Sequence, residues 1–284
     1  MNGLIVPHHV LLFFVLVLGG LPGGGEDPGE TVVEGRQDTS FAVAHRGLSR
    51  HAPENTMAAF RSSLQLRIGF ELDVRRSADG HLVCIHDATV DRTTDGTGSI
   101  VDYEASELRA LDAGSWFDPA FAEESVPEVS DVFSALLDGP EGPLVWVDLK
   151  ETGDGVEEQI VSLAQRYSVL DRLVFIGRAI RSLEVRQRLQ AVEARAQAAR
   201  LVNHPSDLAP ALEDATAGWL YVRFIPTEAQ VDRARQADKR VLVAGPPVSG
   251  HHPEHWRSVV AAGVDGILTD YPLRLTSMLR KQSD

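Results

Sequence analysis

A single cysteine, Cys84, stands in a chain of 284 residues. It excludes an intrachain disulfide, and its place in the run LVCIH gives it the role of a small apolar side chain. Positive charge is also scarce, with 27 Lys and Arg against 41 Asp and Glu and a formal net charge of −14. A nucleic-acid partner needs a basic footprint for its phosphate backbone, so that class is excluded. Long hydrophobic runs are lacking as well. The most prominent block, Val10–Leu21 (VLLFFVLVLGGL), falls short of the ~20 residues a helix needs to cross a bilayer. Followed by the loose LPGGGEDPGETVVEGRQDTS, it reads as the apolar region of a signal peptide over residues 1–25 and a flexible linker over 26–40. No Lys or Arg precedes the block and no A-x-A site follows it, so the n-region is atypical. The expectation is a periplasmic or extracellular protein with no stable membrane span after signal removal.

What is present is a globular domain, with 43% hydrophobic and 24% charged residues. From Phe41 onward, short apolar runs (FAVAH, FELDV, LVCIH, LVWVDL, RLVFIG, QAARLV, WLYVR, RVLVAG, DGILTD) are spaced along the chain. Between many of them lie segments with helical periodicity, such as NTMAAFRSSLQL and VEEQIVSLAQRY. That alternation predicts an α/β fold, a TIM (β/α)8 barrel over residues 41–280, with no internal repeat. Nine runs exceed eight strands by one. The connection from FELDV to LVCIH is too short for a crossover helix and contains Asp79-Gly80, so it predicts a two-residue hairpin that sets Asp73 opposite His86. The following segment, about 87–127, is expected as a small inserted subdomain. Its Trp116, Phe117 and Phe121 either cover the barrel mouth or pack a satellite core.

Polar residues recur at the ends of these runs: His45 and Arg46, Glu71 and Asp73, His86 and Asp87, Asp148 and Lys150, Asp270. Residues two apart on a strand share a face, and in a parallel barrel the strand ends meet where active sites are built. So many buried ionisable groups must compensate one another or hold an ion. Taken singly each has a structural explanation; Glu71 with Lys150 reads as a buried ion pair. Together, Glu71, Asp73 and Asp148 form an oxygen donor set for Ca²⁺ or Mg²⁺, and the lack of H-x-x-x-H or Cys-rich spacing disfavours zinc. His45 and His86 are the candidate acid and base, while Arg46 and Lys150 offer positive charge to an anion. Such a set describes phosphoryl chemistry better than sugar or acyl chemistry. His251, His252 and His255 sit in a Gly/Pro loop and read as surface residues.

The stretches AHRGLSRHAPENTMAAF, ELDVRRSADGHLVCIHDATVDRTTDGTG and AAGVDGILTDYP resemble the glycerophosphodiester phosphodiesterases. The resemblance covers about Phe41 to the C-terminus. It implies a metal-dependent TIM-barrel hydrolase that cleaves glycerophosphodiesters to glycerol 3-phosphate and an alcohol. By that likeness His45 and His86 are the acid/base pair, Glu71 and Asp73 ligate the metal, and Arg46 and Lys150 contact phosphate. Two features depart from the family pattern: Asp148 stands where Glu is usual, and VLVAGPPVSG replaces a W-T-V-N element, which alters the leaving group the pocket accepts. Alternatives on the same scaffold are a lysophospholipase D acting on lysophospholipids and a non-catalytic ligand-binding barrel.

Overall fold

The computed structural model describes residues 40–138 and 142–283. The expected signal peptide and the expected linker up to residue 39 lie outside these residues. Among the described residues nine strands form: β1 Phe41–Ala44, β2 Gly69–Arg76, β3 Leu82–Cys84, β4 Val145–Leu149, β5 Leu173–Ile176, β6 Gln197–Val202, β7 Trp219–Val222, β8 Arg240–Val243 and β9 Gly266–Thr269. The helices are α1 Met57–Gln65, α2 Ala105–Ala110, α3 Val129–Asp138, α4 Val156–Arg166, α5 Leu183–Val192, α6 Leu208–Leu212, α7 Glu228–Gln236, α8 Pro246–Ser249, α9 Pro253–Ala261 and α10 Pro272–Ser283. All strands but β3 run parallel, and β1 pairs with both β2 and β9, which closes an eight-stranded barrel. No helix among the described residues is long and apolar enough to cross a membrane.

The period of two along each strand divides its side chains between two cores. One parity faces the helices, as Phe70, Leu72, Val145 and Val147 do. The other faces the barrel axis and fills it with Val43, Trp146, Val174, Trp219 and Leu242. Trp146 and Trp219 meet edge to face at 4.7 Å, and Arg240 lies 4.0 Å over the Trp219 ring. The inward parity is therefore a packed plug below and a set of polar groups above. Cys84 is buried in the outer core, as its apolar spacing predicts.

The ninth run is the antiparallel arm β3, as expected, but its register differs by one residue. Val74 pairs with Cys84 and Arg76 with Leu82, so Asp73 lies opposite Ile85 rather than His86. The cause is the turn. It uses three residues, Ala78-Asp79-Gly80, with Gly80 at φ +87° completing it, instead of the two-residue turn that Asp-Gly suggests. Beyond β3, Val83, Ile85, Val90, Ile100 and Leu108 form a small separate core. Trp116 meets Phe117 edge to face, and Phe117 meets Phe121 likewise, outside that core and outside the lining of the cavity at the mouth.

Candidate active site

The parallel pairing of β2 with β4 sets Asp73 beside Asp148, and Glu71 follows two residues earlier on the same inward face. Ligand atoms of these three carboxylates all lie within 4.8 Å of one another. Glu71 and Asp73 are almost wholly buried, 2% and 1% exposed. Two cations share the cluster. Lys150 Nζ sits 2.7 Å from Asp73 Oδ1 and 2.6 Å from Asp148 Oδ2, and Arg46 Nε lies 3.3 Å from Asp73 Oδ2. Lys150 therefore bridges Asp73 and Asp148, and does not pair directly with Glu71.

Burial and the neighbouring Asp73 and Asp148 charges push the Glu71 carboxyl well above its usual range. Burial also acts on Asp73, but Lys150 and Arg46 outweigh it and hold that carboxyl down at about 2. Asp148 is raised by burial, with Lys150 pulling against it and Asp73 adding to it. Three carboxylates thus face two cations, and Glu71 is left without full compensation. An all-oxygen set of this charge fits a hard divalent cation. Asp73 Oδ1 supports the fit: it is buried and has no well-angled hydrogen bond although Lys150 Nζ is close.

Both imidazoles line the cavity above the cluster. His45 Nδ1 lies 2.6 Å from Asp270 Oδ1, and His86 Nδ1 lies 2.6 Å from Asp87 Oδ1. A carboxylate can only accept, so each Nδ1 carries the donated proton and each Nε2 is left for chemistry. The sequence placed Asp87 and Asp270 at strand ends without this role. Asp270 is 225 residues from its histidine and meets it because β1 and β9 are neighbours in the closed barrel.

The segment between β1 and α1 braces the site. Arg46 adopts φ +58°, which turns its backbone N–H onto Glu71 Oε2 at 2.8 Å. Its guanidinium also bonds Glu54 at 2.7 Å, and Glu54 is held in turn by Arg92. Asn55 clasps Asp73 twice: its Nδ2 donates to Oδ2 at 2.7 Å, and its Oδ1 accepts from the Asp73 backbone N–H at 3.1 Å. Thr56 caps α1 by accepting from Ala59 N. Gly177, just past β5, leaves the room that Asp148 occupies, since a Cβ there would overlap Asp148 Oδ1. These braces were not assigned from the sequence, though P-E-N-T ahead of a helical pattern marks a cap.

The cavity encloses about 1160 Å³ and is lined on its far side by Arg178, Arg181, Asn203, Tyr221 and Arg223. Outside it, His252, Glu254 and His255 bring ligand atoms within 4.8 Å of one another; the first two are exposed and His255 is half-buried. His251 is not part of that group and packs against Trp256 and Tyr271.

The pattern of the Glycerophosphoryl diester phosphodiesterase family matches residues 45–274. A glycerophosphodiester phosphodiesterase of Caldanaerobacter subterraneus is 32% identical over 247 residues, covering 85% of this chain and 98% of that protein. A crystal structure of a glycerophosphodiester phosphodiesterase from Agrobacterium tumefaciens shares 29% identity at a TM-score of 0.69, covering 84% of this chain and 99% of that one. An Oleispira antarctica phosphodiesterase in complex with the product sn-glycerol-3-phosphate shares 26% identity at a TM-score of 0.70, covering 85% and 97%. The match spans the strand ends that carry His45, Glu71, Asp73, His86, Asp148 and Asp270, and on it the chain belongs to the glycerophosphoryl diester phosphodiesterase family, whose members are phosphodiester hydrolases.

Proposed function

We propose that this cavity hydrolyses glycerophosphodiesters to glycerol 3-phosphate and an alcohol, with Glu71, Asp73 and Asp148 holding Ca²⁺ or Mg²⁺ and with His45 and His86 exchanging the protons. The observation that carries the reading is the pairing of two carboxylate-held imidazoles, both opening on one cavity lined by Glu71 and Asp148, with Asp73 buried in the same cluster. A divalent cation bound there supplies charge neutralisation at a non-bridging phosphate oxygen. Asp270 and Asp87 fix the imidazole tautomers, so that one Nε2 accepts the nucleophile's proton while the other, protonated, donates to the departing alkoxide. Either water or the substrate's own glycerol hydroxyl serves as nucleophile in this arrangement. Lys150 donates an N–H to Asp148 Oδ2 and pairs by charge with Asp73, which leaves N–H capacity for a phosphate oxygen.

The test is phosphorus NMR of glycerophosphoglycerol incubated with Ca²⁺, with Mg²⁺ and with EDTA. Turnover is expected only with metal, and His45→Ala or His86→Ala should each lower kcat by about 10²–10⁴ while the fold persists. Wild-type turnover in either variant overturns the acid/base assignment. Undiminished turnover in EDTA overturns the metal assignment. A lysophospholipid in the same panel tests the lipid-directed alternative, and ligand binding without any product would identify a non-catalytic barrel.

A further inference from the structure

The two halves of the cavity differ in how their cations are partnered. β1, β2, β4 and the segment after β3 bring His45, Glu71, His86 and Asp148 together with the cations Arg46, Arg75 and Lys150, each paired with a carboxylate. The ends of β5, β6 and β7 bring Arg178, Asn203 and Arg223, with Arg181 one turn beyond. In a chain with 41 acidic and 27 basic residues, most arginines near the barrel find a carboxylate. Arg178, Arg181 and Arg223 are exceptions, since no described carboxylate lies within ion-pair distance of their guanidinium groups. Arg223 is half-buried and lies across Gly245, where a Cβ would come within 2.8 Å of its Cζ and displace the guanidinium from its present position. Three like charges facing one cavity repel, and their arrangement is stabilised by an anion between them.

Resting on the phosphodiesterase reading above, we propose that this cationic pole is a subsite for a second anionic group on the substrate's alcohol moiety. The preferred diesters then carry a carboxylate or phosphomonoester on the leaving group as well as the reacting phosphate. The reacting phosphodiester has a single charge, which Arg46, Lys150 and the metal site already match on the opposite side. A quaternary ammonium head group, by contrast, is recognised by aromatic faces. The aromatic ring on this wall is Tyr221, and Arg223 already sits over it with Cζ 5.8 Å from the centroid. Asn203 adds neutral hydrogen-bonding capacity for the hydroxyls of a polyol.

Two matched pairs isolate the added anion: glycerophosphoinositol against its 4-phosphate, and glycerophosphoglycerol against glycerophosphoglycerate. The anionic member of at least one pair should have a kcat/KM higher by about tenfold or more, the range of a charge-assisted contact. The preference should fall to within about twofold in the Arg178→Ala/Arg181→Ala/Arg223→Gln protein, and Arg181→Glu, an exposed position, should lower it alone. Preference in one pair only also supports the subsite and names the anion. A wild-type ratio near one in both pairs overturns the proposal. So does a ratio that survives the triple substitution, or an equal fall for both members of each pair, which would assign these arginines to the reacting phosphate. If no diester is cleaved, the phosphodiesterase reading fails separately. Calorimetric titration with the same pairs then decides: tighter binding of the anionic members keeps the pole, and equal binding removes it.

Discussion

Asn55→Ala isolates the brace that holds the cluster's most buried carboxylate. Asn55 is 4% exposed, and both of its side-chain hydrogen bonds go to Asp73. Loss of the amide removes a charge-assisted bond from Asp73 Oδ2, about 1.5–3 kcal/mol, and leaves the Asp73 N–H buried without a partner, about 1–3 kcal/mol. Alanine also carries a left-handed backbone at φ +56° less readily than asparagine, at about 1 kcal/mol. Allowing for partial relaxation, the metal-free protein should lose about 3–5 kcal/mol of stability. Urea unfolding monitored by tryptophan fluorescence measures it. Asn55→Gly removes the same hydrogen bonds but tolerates the backbone, so it should recover about 1 kcal/mol of the loss. Calorimetric Ca²⁺ titration should show affinity lower by about 10–100-fold in both variants, as for other groups that orient a metal ligand. A stability loss below about 1 kcal/mol with unchanged Ca²⁺ affinity would refute the role given to this residue.

Gly177→Ala should push Asp148 away from Lys150 Nζ, now 2.6 Å distant, and lower kcat by about a hundredfold; near-wild-type turnover of glycerophosphoglycerol would contradict this. Asp87 is held down at about 2 by its hydrogen bond from Arg92, with burial opposing and His86 adding to the effect, against an ordinary value of 3.8. Because the folded-state value is depressed, the associated stability is present above pH 3.8 and is lost as pH falls toward about 2. Acid-induced loss of stability over that window should therefore be smaller in Asp87→Asn than in wild type, as compared by urea unfolding at pH 5 and pH 3. Asp214→Asn should destabilise the far side of the barrel by about 3–5 kcal/mol, because Arg186 is wholly buried and Asp214 is its ion-pair partner. A loss of under 1 kcal/mol in a urea melt would show that the carbonyls of Ile180, Arg181 and Ser182 suffice to hold it.

Much of the fold was legible because each strand announced itself as a short apolar run. All nine runs are strands, and the short Asp-Gly connection correctly separated the extra arm from the eight of the barrel. The error of one register step came from turn length. Asp-Gly occurs in both two- and three-residue turns, and no nearby residue in the sequence distinguishes them. The cluster itself was legible for a related reason. Glu71 with Asp73, and Asp148 with Lys150, break apolar runs at spacing two, so their shared face follows from strand geometry alone. Pairings across the closed barrel were not legible. Asp270 reaches His45 only through the β1–β9 contact, and Asn55 reaches Asp73 through a loop whose path depends on left-handed residues 46 and 55.

The arginines on the far wall were missed although their signal was present. Inward positions on β5 are Val174 and Ile176, on β6 Ala199 and Leu201, on β7 Trp219 and Tyr221. Continuing each series by two gives Arg178, Asn203 and Arg223, the residues that line the cavity. A basic residue just after an apolar run reads as the solvated end of a strand when each strand is taken alone. Parity decides otherwise, because in a parallel barrel the next inward position past the packed layers lies over the mouth, not in bulk solvent. Applied to β1, β2, β4 and β9, the same rule yields His45, Asp73, Asp148 with Lys150, and Asp270. The division of the mouth into a half that carries the carboxylate cluster and a half of arginines that faces it therefore follows from which residue each strand presents one step above its last apolar layer.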